Sequence, residues 1–153
     1  MSPGNPLKPA AGMAAPAARL ASARAIADGR RIVATDIEAR IGTRYTADTL
    51  RVLRRRFPRV QFVWLMGADN LAQLPRWRDW GRIVGDVVIA VLPRPTYNYP
   101  ALAGRAAERL RSARQPARAA TVLAAAPPPA WAFLPVPQHG ASATAIRQAA
   151  SGV

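Results

Sequence analysis

The sequence predicts an α/β fold in which a parallel β-sheet is flanked by helices. Short apolar runs alternate along the chain with segments of helical periodicity, the order typical of parallel sheets. Two of these runs, residues 62–66 and 87–92, are apolar at every position, as is typical of strands buried on both faces. The length of 153 residues allows one ordinary domain, so we expect residues 1–153 to form a single domain.

The first third of the chain predicts two helices and a strand. Residues 17–27 have helical periodicity, and Gly29 follows shortly after as a usual stop signal. Residues 31–38 are rich in β-branched side chains and predict a strand. Residues 46–57 predict a second helix with one apolar side.

The remainder predicts shorter elements around the two buried strands. These are helices at residues 77–84, 101–111 and 117–125, followed by a strand at 131–136. Pro135 interrupts or edges that strand. A final helix opens at Ser142, and hydroxyl side chains in its cap and first turn leave backbone N–H groups able to hold an anion.

The chain is strongly basic, with 22 Lys and Arg against 8 Asp and Glu and a net charge of +14. Such a charge is one signature of a nucleic-acid-binding domain. However, Lys8 is the only lysine, and an Arg-rich, Lys-poor composition is also what a GC-rich coding sequence produces. A basic RNA-binding or ribosome-associated module therefore stays an alternative function, and we do not expect nucleic acid to be the main partner.

Composition also excludes several kinds of site. The absence of cysteine excludes disulfides, thiolate zinc sites and cysteine nucleophiles, and the single His139 cannot build a multi-histidine metal site. No apolar stretch approaches the roughly 20 residues of a membrane-spanning helix. Residues 1–27 lack acids, as a transit peptide does, but their turn-rich start favours a loop and helix of the folded domain, and hence a cytoplasmic protein.

Three segments, taken together and in order, resemble bacterial nicotinate-nucleotide adenylyltransferase. They are residues 44–50 (RYTADTL), 64–77 (WLMGADNLAQLPRW) and 142–147 (SATAIR). Weaker matches at 3–8 and 93–95 extend the resemblance over nearly the whole chain, although Thr96 stands where the family usually has Gly after Arg-Pro. The family is part of the nucleotidyltransferase superfamily, so the resemblance implies a Rossmann-like parallel sheet.

The resemblance implies a reaction and its substrates. Enzymes of this family join ATP to nicotinate mononucleotide and release pyrophosphate, giving deamido-NAD, and Mg²⁺ accompanies the ATP. In-line attack of a phosphate on phosphorus depends on positioning and charge stabilisation and needs no protein nucleophile. A phosphopantetheine adenylyltransferase-like enzyme is an alternative with the same fold and terminal motif, but residues 45–46 and 74–77 favour the nicotinate branch.

The resemblance also implies which residues bind the substrates. The ATP phosphates would be held by Ser142, Thr144, Arg147, Lys8 and Arg94. The ribose and nucleotide would contact Gly67, Asp69 and Asn5. The nicotinate ring and its carboxylate would be bound by Tyr45, Thr46, Trp77 and the backbone at Arg78. An ordinary structural role, such as a strand end, a helix cap or a core tryptophan, is the alternative at each position.

One part of the family pattern is not found in these residues. The family carries a Gly-rich turn and two histidines separated by two positions, within a strand-helix-strand unit of roughly 30 residues or more. We therefore assign no catalytic or metal-ligating residue and expect little adenylyltransferase activity and marginal stability. An upstream start is favoured over a degenerate paralogue because the downstream motifs are intact. In the implied sheet the missing strand is central, which leaves residues 31–38 without a neighbour linking them to residues 62–66.

Overall fold

The computed structural model describes residues 14–138. The chain divides into two compact units, Met1–Val60 and Gln61–Val153. The helix predicted to open at Ser142 lies outside the described residues. The prediction of one domain stays a prediction.

The first unit contains three helices in its described part: α1 (Pro16–Ile26), α2 (Ile37–Arg40) and α3 (Thr46–Arg56). Proline at the start of α1 suits a helix because its missing N–H would have no intrahelical partner there. Helix α3 has an acid in its first turn and three arginines in its last, so the charges at both ends interact favourably with the helix dipole. The two helices predicted at residues 17–27 and 46–57 are thereby confirmed.

The strand predicted at residues 31–38 is wrong. Residues 31–36 are irregular and α2 follows, and within the described part of this unit there is no strand with which they could pair. Instead, the Asp28 carboxylate accepts hydrogen bonds from the backbone N–H groups of Arg30, Arg31 and Ile32 at 2.9, 2.8 and 2.8 Å. These bonds give the backbone a local alternative to sheet pairing and hold the pKa of Asp28 below its usual value.

The second unit contains the sheet, which confirms the α/β class with a parallel sheet. Its strands are β1 (Val63–Gly67), β2 (Val88–Leu92), β3 (Arg114–Gln115) and β4 (Trp131–Phe133), arranged in the order β1-β2-β4-β3. All three pairings are parallel, and β1 pairs with β2 from Val63 opposite Val88 to Gly67 opposite Leu92. The carboxyl ends of all four strands therefore meet at one edge of the sheet.

The helices predicted at residues 77–84 and 101–111 are shorter in the structure, and the one predicted at 117–125 has the predicted bounds but is a 3₁₀ helix. The helices of this unit are α4 (Ala68–Gln73), α5 (Trp80–Asp86), α6 (Asn98–Leu102) and α7 (Arg105–Arg109), with 3₁₀ helices at Leu74–Arg76, Arg111–Ala113 and Ala117–Ala125. The single helix predicted at residues 101–111 is broken at Gly104, where a Cβ would lie 2.8 Å from the Pro100 carbonyl oxygen. The helix predicted at 77–84 begins only at Trp80, because Asp79 adopts the left-handed conformation (φ 52°).

Two apolar clusters cover the two faces of the sheet. One contains Met66, Ile89 and Trp131 with side chains of α4 and α7, and the other contains Val88, Ala90, Leu123 and Ala132. Strand β2 is buried on both faces, as predicted.

Strand β1 is not buried on both faces, which corrects the prediction. Val63 is 40% exposed and Leu65 is 60% exposed. Val63 and Leu65 lie on one face of β1, opposite Val88 and Ala90, and the apolar cluster on that face contains no residue of β1.

Candidate functional site

Polar side chains gather at the carboxyl edge of the sheet, where ligands of parallel α/β sheets bind. Gly67 ends β1, Asp69 lies in the first turn of α4, and Arg94 follows β2. Because β1 and β2 are parallel and paired in register through Gly67 and Leu92, these residues meet in space. The three predicted site residues are thus brought together by the sheet.

Asp69 and Arg94 form an ion pair. Arg94 Nε lies 3.5 Å from Asp69 Oδ1, and the two side chains are 52% and 14% exposed. Asp69 Oδ1 is buried and accepts no hydrogen bond from any described residue. The acid is therefore fixed against the sheet edge, whereas half of the arginine side chain faces solvent and can meet an anion.

Gly67 leaves room for this pair. A Cβ at position 67 would lie 2.5 Å from Asp69 Oδ1, and 3.1 Å from Arg94 Nε. The backbone of Gly67 is extended rather than left-handed, so glycine is required here by close approach and not by φ. The space above its Cα is occupied by the two charged side chains, and a direct contact of Gly67 with a nucleotide stays a prediction.

The loop that carries Arg94 is held by a residue that sequence reasoning missed. Asn98 Oδ1 accepts a hydrogen bond from the Arg94 backbone N–H at 2.7 Å, and Asn98 Nδ2 donates to Gln138 Oε1 at 3.2 Å. Thr96, between them, has a left-handed φ of 68°, which explains why the family uses Gly at this position. Asn98 therefore connects the loop after β2 with the segment after β4, which leads toward Ser142.

Trp77 follows the 3₁₀ helix Leu74–Arg76, and its backbone N–H donates to the Leu74 carbonyl at 2.9 Å. Its ring is partly buried and packs against the larger apolar cluster. The indole Nε1 is buried and has no hydrogen-bond partner among the described residues. Arg78, the next residue, is largely exposed, with its Nε 3.8 Å from Asp79 Oδ2. Stacking on nicotinate stays a prediction for Trp77.

Tyr45 and Thr46 lie in the first unit, at the start of α3. The Tyr45 carbonyl accepts hydrogen bonds from the backbone N–H groups of Asp48 and Thr49, both at 3.0 Å. The Thr49 hydroxyl is 2.8 Å from the Thr43 hydroxyl and 3.4 Å from Glu38 Oε1. This buried polar network fixes the turn that precedes α3. A pocket shared by Tyr45 and Trp77 stays a prediction.

Five of the predicted binding residues lie outside the described residues. They are Asn5, Lys8, Ser142, Thr144 and Arg147. Within residues 14–138 no group of three or more His, Asp or Glu side chains could hold a metal ion. No helix in this range is long and apolar enough to span a membrane.

Comparison with known proteins gives close relatives. No protein-family model matches the chain. A protein of Gluconacetobacter diazotrophicus is 64% identical over 150 residues, which are 98% of this chain and 70% of the relative. A protein of Gluconobacter oxydans is 59% identical over 148 residues, covering 97% and 76%, and one of Parvibaculum lavamentivorans is 53% identical over 148 residues, covering 97% and 74%. Each bears the name "Probable nicotinate-nucleotide adenylyltransferase".

Proposed function

Since this chain belongs to the nicotinate-nucleotide adenylyltransferase family, we propose that it binds ATP and nicotinate mononucleotide and serves the formation of deamido-NAD in the cytoplasm. In this reaction a phosphate oxygen of the mononucleotide attacks the α-phosphorus of ATP. The bond between that phosphorus and the oxygen bridging to the β-phosphate breaks, and pyrophosphate leaves. Mg²⁺ enters with the ATP phosphates as part of the substrate.

The observation that carries this proposal is the Asp69 and Arg94 pair at the carboxyl edge of β1 and β2. A half-exposed guanidinium held by a buried carboxylate is an anchored cation, able to donate hydrogen bonds to phosphate oxygens as ATP binds. We place the ribose hydroxyl on the accessible part of the Asp69 carboxylate, whose side chain is 14% exposed. Ser142, Thr144, Arg147 and Lys8 are proposed to complete the phosphate site, and Asn5 the ribose site.

The nicotinate side of the site is proposed from Trp77 with Arg78, Tyr45 and Thr46. An indole face attracts an electron-poor pyridinium ring, and the Trp77 ring is only partly buried. N–H donors facing the ring carboxylate would favour the acid over the uncharged amide.

We propose weak turnover for these 153 residues because they hold one histidine, His139, and no Gly-rich turn followed by a histidine pair. The charge that develops on the triphosphate then lacks donors that the family supplies. Pyrophosphate release from MgATP and nicotinate mononucleotide tests this. Turnover comparable with that of the Gluconacetobacter relative, assayed in parallel, would contradict it.

Substrate binding tests the proposal independently of turnover. Calorimetric titration of the chain with MgATP should show binding that Arg94→Ala weakens by about tenfold, the effect of one charge-assisted hydrogen bond. Arg118→Ala, which removes an exposed arginine of the 3₁₀ helix Ala117–Ala125, is the matched control and should bind MgATP normally. Steep salt-dependent RNA binding without a response to either nucleotide would instead favour the basic RNA-binding module.

A further inference from the structure

A cleft outside the proposed site lies where β3 and β4 end. It has a volume of about 620 Å³ and is lined by Arg111, Arg114, Gln115, Pro116, Ala117, Phe133 and Pro135. Gln115 is the last residue of β3 and Phe133 the last of β4. The cleft therefore reaches the carboxyl ends of β3 and β4, at the opposite end of the strand order from Asp69 and Arg94, while Arg114 begins β3 and Arg111 precedes it. It shares no residue with that site.

The charge of the cleft has one sign. Among the described residues its charged lining consists of Arg111 and Arg114, with no carboxylate. Neither guanidinium forms an ion pair with an acid within residues 14–138. Two guanidiniums uncompensated in this way attract an anion, and their planar donor arrays suit phosphate oxygens.

Trp131 contacts Arg114 directly and holds the backbone next to Arg111. The Arg114 guanidinium lies over the Trp131 ring, 5.2 Å from its centroid, and the two residues face each other in the β3 and β4 register. The Trp131 Nε1 donates to the Leu110 carbonyl at 2.8 Å, immediately before Arg111. Because Trp131 is 1% exposed, it is a rigid support for the Arg114 guanidinium and for the backbone next to Arg111.

The rest of the lining is apolar or amide. Phe133, Pro116 and Pro135 provide flat apolar surface, and Gln115 provides an amide. An anion with a planar, mostly apolar body matches this combination better than a small inorganic anion does, because the ring can stack where phosphate alone gains nothing. We propose that this cleft is a second binding site, and that it takes a nucleoside monophosphate with the phosphate on Arg111 and Arg114 and the base against Phe133.

The test uses AMP as the probe, followed by backbone amide signals in NMR titrations of the whole chain. AMP should shift the amides of Gln115 and Phe133 and bind about tenfold more tightly than inorganic phosphate or adenosine, each of which offers half of the contacts. Arg111→Ala should weaken AMP binding by about tenfold without touching Trp131. Arg114→Ala should weaken it by a similar factor, but it also removes the guanidinium that lies over Trp131, so Arg111→Ala is the cleaner variant. Arg118→Ala, one exposed charge that does not line the cleft, should change it less than twofold.

Three results would overturn the assignment. AMP shifting only Gly67 and Asp69 would place it at the other site. Equal losses in Arg111→Ala and Arg118→Ala would show attraction by net charge alone. Inorganic phosphate binding as tightly as AMP would remove any role for Phe133. These outcomes are separate from the fate of the MgATP experiment, because the two sites have no residue in common.

Discussion

Replacing Gly67 by alanine should destabilise the second unit and open the ion pair above it. The added Cβ would stand 2.5 Å from Asp69 Oδ1 and 3.1 Å from Arg94 Nε, both closer than van der Waals contact allows. Arg94 is long and half exposed and can move, but the mostly buried Asp69 has little room. Overpacking of this kind costs about 1–3 kcal/mol. The partly exposed ion pair adds about 0–1 kcal/mol when it is lost.

Gly81 and Gly85 give the matched control. Both lie in α5, and a Cβ at either position would meet nothing within 4 Å. Gly81→Ala should therefore stabilise the chain by about 0.4–1 kcal/mol, because alanine lowers the conformational entropy of the unfolded chain and fits the folded one without strain. Urea unfolding followed by circular dichroism measures both variants. A Gly67→Ala chain as stable as the parent, beside a stabilised Gly81→Ala chain, would refute the close-approach reasoning.

Three further predictions concern the loops. Thr96→Gly should raise the free energy of unfolding by about 1 kcal/mol in urea denaturation, because glycine relieves a left-handed β-branched residue; a loss of stability would contradict the conformation at φ 68°. The pKa of Asp28, measured by carbon-detected NMR, should lie below 3.8 because three backbone N–H groups stabilise the charged carboxylate. The resulting stabilisation of the fold should be present above the unfolded-state pKa and disappear as the pH falls through the folded-state pKa. A pKa at or above 3.8 would rule out the turn. Asn98→Ala should speed hydrogen exchange of the Arg94 amide by about tenfold, whereas Asn98→Asp keeps the acceptor and should not. Equal exchange in both variants would contradict the hydrogen bond from the Arg94 N–H to Asn98.

Local pattern predicted the central part of the fold. The apolar run at residues 87–92 has no polar position, as is typical of a strand covered on both sides, so β2 was predictable. The equally apolar run at residues 62–66 forms β1, which is exposed on one face, so the pattern predicts a strand more securely than its burial. Residues 31–38 show the limit of the same reasoning. Their β-branched side chains favour an extended backbone, but a strand also needs a neighbour, and Asp28 satisfies the local N–H groups instead. The break at Gly104 depends on an approach to Pro100, which periodicity does not register.

The candidate site was also predictable only in part from the sequence. Asp69 and Arg94 could be predicted because each follows a strand, and parallel strands bring their carboxyl ends together. Their mutual distance above Gly67 depends on the twist and register of the sheet, which no local motif contains. Asn98 was missed because its partner Gln138 is 40 residues away and the bond exists only in the folded chain. Nothing in the sequence distinguishes Arg111 and Arg114 from the other basic residues, 22 in all, because their place in the cleft and the contact of Arg114 with Trp131 exist only in the folded chain.

Among the described residues β1 is an edge strand, and this position should make association of the chain depend on ionic strength. Between Arg59 and Asp69 the sequence has no charged side chain, so nothing on this strand repels a second strand laid beside it. What keeps two copies apart is the +14 charge of the whole chain, a long-range repulsion that salt weakens, with a screening length of about 10 Å at 0.1 M and about 3 Å at 1 M. Light scattering should therefore show association that increases with added sodium chloride. Leu65→Lys, which puts a charge on the open face of β1, should keep the chain dispersed at the same salt concentration.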